Sequence, residues 1–256
     1  MRYCLNIVIA TPLDTRVGAV QSQTIESVSI KEVHLSMYLI ANIIVCVGAL
    51  AGYIYGEIKL FRAGKNMLYA QMIALSLLCI TYGRLYHIVR LVTDGSITES
   101  FQLGFLGALG SLIFFFASNF GTVDSLVDDG SKKLKKYRLI ALAAPAAAVV
   151  LYVCLFLLGE VAPLWRVQGS VLTLLVIPTS YFNLKHLIFP DVEGGFVKCL
   201  RPYNLLVLIY TASMMMECFA MSRSNGLLTL ISCCIAGLSV AAMIPMVVRG
   251  NKLWKT

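Results

Sequence analysis

Seven apolar runs, each long enough to cross a bilayer, dictate what this chain can become. A run of roughly 17–25 residues covers about 30 Å of hydrocarbon at about 1.5 Å of helical rise per residue. The runs fall at residues 36–56, 67–92, 102–118, 139–158, 169–188, 203–221 and 227–248. In lipid, backbone N–H and C=O groups must find partners inside a helix or a closed barrel, and unbroken apolar runs of this length are helical. The predicted fold is an all-α integral membrane protein, a seven-transmembrane-helix bundle. Composition agrees: 13% of the 256 residues are charged and 59% hydrophobic, against about 25% charged in soluble domains. The net charge of +8 does not point to nucleic acid, because the basic residues sit between the apolar runs, as membrane-flanking charges do.

Those flanking charges alternate. Connections 57–66, 119–138, 184–202 and the tail after residue 248 carry 14 Lys and Arg; the opposite side, counting residues 1–34, carries 5. The positive-inside rule then places the N-terminus outside and the C-terminus in the cytoplasm. The organisation expected is an extracytoplasmic tail at 1–34, a membrane domain at 35–248 and a short basic cytoplasmic tail at 249–256, multi-pass in the cell membrane. The tail at 1–34 reads as mixed polar and apolar, with a short strand or an interfacial helix; Ile7 to Ala10 is too short for a signal-peptide core.

Gly48, Gly52 and Gly56 recur every four residues in the first span, and Gly104, Gly107, Gly110 and Ser111 line the third. Small residues at this spacing let helix backbones approach closely, so both strips read as packing faces. Pro145, Pro178 and Pro245 fall inside the fourth, fifth and seventh spans, where proline removes a hydrogen bond and bends the rod. The eight cysteines form no C-x-x-C pair and lie mostly inside apolar runs, where a thiol packs as a small hydrophobe. No metal site and no cofactor is expected.

The second span differs from the rest: it carries Arg84, His87 and Arg90 near its outer end. Thr81, Arg84, His87 and Arg90 fall within one half of that helix, and Glu217 in the sixth span lies at similar depth below the outer boundary. An Arg or Asp at mid-membrane costs about 2.5–3.5 kcal/mol on insertion scales, so such groups seldom face lipid. Two readings follow. In one, Arg84 and Arg90 snorkel to headgroups and Glu217 is structural glue. In the other, the group is a ligand or proton site opening outward, with Arg84 anchoring an anion, His87 titrating near neutral pH and Glu217 as counter-ion. Tyr210 and Ser213 share the Glu217 face, and Thr229, Ser232 and Cys233 lie at similar depth in the seventh span. His34 stands just outside the first span. His186, beside Lys185, reads as interfacial.

Between Asp124 and Arg138 three acids precede five bases, a spacing that misses the calcium-loop pattern. It reads as a cytoplasmic loop whose lysines attract anionic lipid and where a cytoplasmic protein partner docks. The topology resembles the broad class of seven-helix sensors and rhodopsins, although the last span has no lysine between Leu227 and Val248 to form a retinal Schiff base. The function expected is that of a small-molecule-binding or sensory seven-helix protein for an anionic ligand. The alternative is a proton-coupled or small-solute transporter, whose weak point is that the charges lie off the midplane. An enzyme has least behind it: no nucleophile–base pair, H-E-x-x-H motif or paired catalytic carboxylates occur.

Overall fold

The protein was analysed as a computed structural model that describes residues 13–61, 68–95, 102–191 and 196–254, with side chains described from Leu35 except at 60, 61, 196 and 251–254. Every regular element among the described residues is helical, and seven helical stretches are long and apolar enough to cross a membrane. They run over Leu35–Lys59, Leu68–Asp94, Leu103–Val127, Lys132–Leu157, Pro163–Ile188, Val197–Ser222 and Gly226–Gly250.

The first helix, α1 (Leu13–Gly56), begins well before its apolar part, so residues 13–34 continue the rod where a short strand or separate interfacial helix is expected. Residues 1–12 lie outside the described residues, as does the side chain of His34. A π-helical turn, Glu57–Phe61, closes α1. Helix α2 (Leu68–Asp94) stops at Gly95, which adopts φ +64°, a left-handed geometry that glycine enters without a Cβ clash. Helix α3 (Leu103–Phe120) starts after an extended Gln102, and a short α4 (Asp124–Val127) follows.

The fourth span is broken. Helix α5 (Lys135–Ala141) and α6 (Ala143–Tyr152) meet at Leu142, because Pro145 has no N–H for the carbonyl of Ala141. A π-helical turn, Val153–Leu157, finishes it. Helix α7 (Pro163–Ile188) opens on a proline, whose fixed φ suits the first helical turn. It carries Pro178 inside. Helices α8 (Phe196–Ser222) and α9 (Gly226–Trp254) contain Pro202 and Pro245, and join through a turn in which Asn225 Oδ1 accepts the Leu228 N–H at 3.0 Å. That cap satisfies an amide the helix start would leave unpaired.

The helices close a ring. α1 packs on α2 and α9, α2 on α3, α3 on α7, α7 on α8, and α8 on α9. α5 and α6 lie outside it against α7, and leave Leu139, Ile140, Val149 and Val150 exposed where lipid would lie. The small residues sit at the tightest crossings. A Cβ at Gly48 would come within 2.6 Å of the Gly237 carbonyl on α9, and one at Gly107 within 2.6 Å of the Cys79 carbonyl on α2. Gly52 and Gly56 face Val240 and Ile244 of α9, and Gly104 faces the His87 ring.

Candidate functional site

Arg84 on α2 and Glu217 on α8 face each other inside the ring, 7% and 5% exposed. Nη1 of Arg84 donates to Glu217 Oε1, and Nη2 donates to Oε2 at 2.5 Å, the parallel fork that a guanidinium offers a carboxylate. Nη1 also donates to Asn42 Oδ1 on α1 at 3.1 Å and lies 3.9 Å from the sulfur of Cys233 on α9. The Arg84–Glu217 pair therefore ties α1, α2, α8 and α9 at one level.

His87 completes the group. Its Nδ1 lies 3.2 Å from Asn42 Oδ1. Because an amide oxygen can only accept, Nδ1 is the donor in this contact, and Nε2 is left facing the backbone of Gly104 on α3. Arg90 stands apart. Six helical residues rotate it about 120° from Arg84, and its Nη1 meets Asp94 Oδ2 at 2.6 Å on a part-exposed face. Ser213 turns its hydroxyl back to the Ile209 carbonyl at 2.8 Å, and Thr229 does the same to Asn225 at 2.9 Å.

Beside the pair a cleft with a cavity volume of about 50 Å³, or about 600 Å³ when the open space at its mouth is counted, lies between α2, α3, α7 and α8. Arg84, His87, Tyr210 and Glu217 line it, and so do residues that sequence reasoning passed over: Gln102, Phe105, Trp165, Gln168, Met214 and Met221. It lies toward the end of the bundle where α2 and α8 finish and α3 and α7 begin. Two of the omissions had a signal. Asn42 is the lone amide in the apolar run 36–56, and Trp165 is one of two tryptophans in the chain. Gln102 had none beyond its place at the start of a span.

A second buried polar cluster occupies the other end. Asn119 Nδ2 donates to Asn183 Oδ1 at 2.8 Å and to Asn204 Oδ1 at 3.2 Å, while Asn119 Oδ1 lies 3.0 Å from His186 Nδ1. His186 is fully buried, a correction to its interfacial reading: the helix turns it into the ring, and its Nε2 reaches Asp124 Oδ1 at 3.1 Å. Lys185, 4% exposed, bridges Asp124 Oδ1 at 2.5 Å and Asp128 Oδ2 at 2.7 Å. Arg138 donates two bonds to Asp128, 2.7 and 2.5 Å long. These bonds, with Lys185 adding to them, hold the Asp128 carboxyl well below the usual carboxylate range. Asp124 and Asp128 are thus spent on Lys185, His186 and Arg138, while Asp129 accepts the Ser131 N–H at 2.8 Å, and Lys132, Lys133, Lys135 and Lys136 remain exposed. Among the described residues no three His, Cys, Asp or Glu side chains converge as metal ligands would.

Comparison of the chain with family models, with curated proteins and with solved structures finds no match. Fold and composition define a multi-pass membrane protein of seven spanning helices.

Proposed function

We propose that this chain is a small-molecule-binding or sensory membrane protein whose ligand enters the cleft between α2, α3, α7 and α8 from the external face. The observation that carries the reading is the cleft itself, an aromatic and methionine-lined hollow with the Arg84–Glu217 pair in its wall. Pockets for small molecules have this make-up: apolar walls with a few placed polar groups. The positive-inside count supports an outward opening, since Arg166 and Arg223, near the mouth, belong to the side poor in basic residues. The anchoring of an anion by Arg84 alone has less support than a neutral or zwitterionic ligand. An anion on that guanidinium would displace Glu217, and a buried charge stripped of its partner costs about 3–5 kcal/mol.

A thermal-shift screen of the purified protein against a chemically diverse library tests this reading. Stabilising compounds should lose their effect in Trp165→Ala, which shortens the cleft wall away from the ion pair. A hit set indifferent to that change would place the ligand elsewhere.

One observation favours a second reading, a proton-coupled carrier. Buried polar groups continue from the cleft along the ring interior: Tyr210 to Ser111 at 3.3 Å, Tyr203 to Ser118 at 3.1 Å, then Asn119, His186 and Asp124. Uptake into proteoliposomes that follows a pH gradient and disappears in His87→Ala would select it. Absence of flux would leave the binding reading.

A further inference from the structure

Gln102 carries the inference, which rests on the cleft being a ligand site. Its backbone carbonyl accepts the Phe105 and Leu106 N–H groups at the start of α3, at 2.9 and 3.2 Å, which fixes the residue in place. Its side chain makes no cap bond. The residue is 9% exposed and lines the cleft, yet among the described residues neither Nε2 nor Oε1 has a hydrogen-bond partner. Buried amide groups are almost always paired, and an unpaired donor and acceptor on one residue is a standing cost that a bound molecule would relieve. The terminal amide torsion of glutamine is soft, so the group turns into the cleft without leaving its rotamer.

The other polar groups of the wall narrow the chemistry. Both Nη atoms of Arg84 are taken by Glu217, His87 Nδ1 by Asn42, the Tyr210 hydroxyl by Ser111, and Gln168 Nε2 by the Cys218 sulfur at 3.6 Å. The ion pair is neutral overall and satisfied. Trp165 and Phe105 present aromatic surface on the same cleft.

We propose that the cleft takes an uncharged, planar ligand bearing a primary carboxamide or lactam edge, which Gln102 pairs with while Trp165 and Phe105 cover the ring. Gln102 Nε2 donates to the ligand carbonyl, and Oε1 accepts from the ligand N–H, the reciprocal pair that two amides form. A carboxylate in the same place offers no donor to Oε1, and an ammonium offers no acceptor to Nε2. Both would also bring a net charge beside a pair that is already balanced.

The probes are benzamide, benzoate and benzylamine, alike in size and differing in head group. Their binding to the purified full chain in nanodiscs is followed at millimolar concentrations by saturation-transfer NMR. Benzamide should bind about tenfold more tightly than either charged probe, and Gln102→Leu should remove about that factor, the loss of two neutral hydrogen bonds. Gln102→Glu, equal in size but without the donor, should do the same and serves if the leucine variant does not fold. Benzoate or benzylamine binding as well as benzamide overturns the inference, and so does benzamide binding unchanged in the Gln102 variants. If benzamide binding survives those variants but is lost in Trp165→Ala, the amide edge is wrong and the cleft reading stands. If it survives all three variants, the cleft reading fails as well. No binding by any probe overturns the carboxamide class, while library compounds sensitive to Trp165→Ala would still support the cleft.

Discussion

Arg84 and Glu217 meet in a bidentate pair across the ring interior, although α2 packs beside α1 and α3 while α8 packs beside α7 and α9. A bond between side chains of helices so placed acts on the whole cross-section. Removing either partner strands a charge that is 7% or 5% exposed. Arg84→Ala and Glu217→Ala should each destabilise the protein by about 3–5 kcal/mol, whereas the double substitution should cost much less than their sum. Thermal unfolding of the four proteins in one detergent closes the cycle. Additive losses would show that the two side chains do not stabilise through each other.

Close approach of α2 and α3 gives a sharper packing test. A methyl group at Gly107 would sit 2.6 Å from the Cys79 carbonyl and 2.8 Å from Gly83 Cα, both backbone atoms. At Gly110 the nearest atom is the Cys79 sulfur at 3.1 Å, a side chain able to turn away. Gly107→Ala should therefore cost about 1–3 kcal/mol, and Gly110→Ala clearly less, measured as the shift in unfolding temperature. Equal costs at the two positions would contradict the contact geometry.

Length and charge made the seven spans legible, because a helix in lipid has no cheaper way to satisfy its backbone. Depth was legible as well: counting helical rise puts Arg84 and Glu217 near one level. Apart from the partnership of Arg84 with Glu217, suggested by depth and opposite charge, neighbour relations were not. Nothing in the periodicity of α2 says that its arginine looks past α1 and α3 to α8, because hydropathy separates lipid from interior only weakly when both are apolar. Pro145 was legible as a disturbance, though its consequence, a break at Leu142 that sets α5 and α6 mainly against α7, depends on packing. His186 misled for a related reason. A histidine near a span end beside lysine has the sequence look of a headgroup contact, and only the rotation of α7 shows it directed at Asn119 and Asp124.

The loop after α4 should respond to acid. Hydrogen bonds from Arg138, reinforced by Lys185, depress the Asp128 carboxyl in the folded protein. A group whose folded pKa is depressed contributes stability above its unfolded pKa of about 3.9 and loses it as pH falls toward the folded value. Protection of the amides between residues 128 and 138 should hold near neutrality and decline below about pH 4. In Asp128→Asn the same amides should already be less protected at pH 7, with a flatter acid response. Hydrogen exchange referenced to intrinsic rates at each pH reads both, and an identical acid profile in the variant would remove Asp128 from the account.

The asparagine cluster separates a hub from a spoke. Asn119 bonds Asn183, Asn204 and His186 at once, whereas Asn204 accepts one bond from Asn119 and its own Nδ2 has no partner among the described residues. Interhelical hydrogen bonds in membrane proteins average about 0.6 kcal/mol. Asn119→Leu, which severs three, should cost about 2 kcal/mol on that scale, and Asn204→Leu, which severs one and removes an unsatisfied donor, no more than about 0.6 kcal/mol. Asn119→Leu should also free the His186 ring, seen as a change in the line width of its imidazole NMR signal, while Asn204→Leu should leave that signal as it is. An Asn204→Leu variant as unstable as Asn119→Leu would mean that Asn204 is held by something other than this bond, and that the cluster has a different centre.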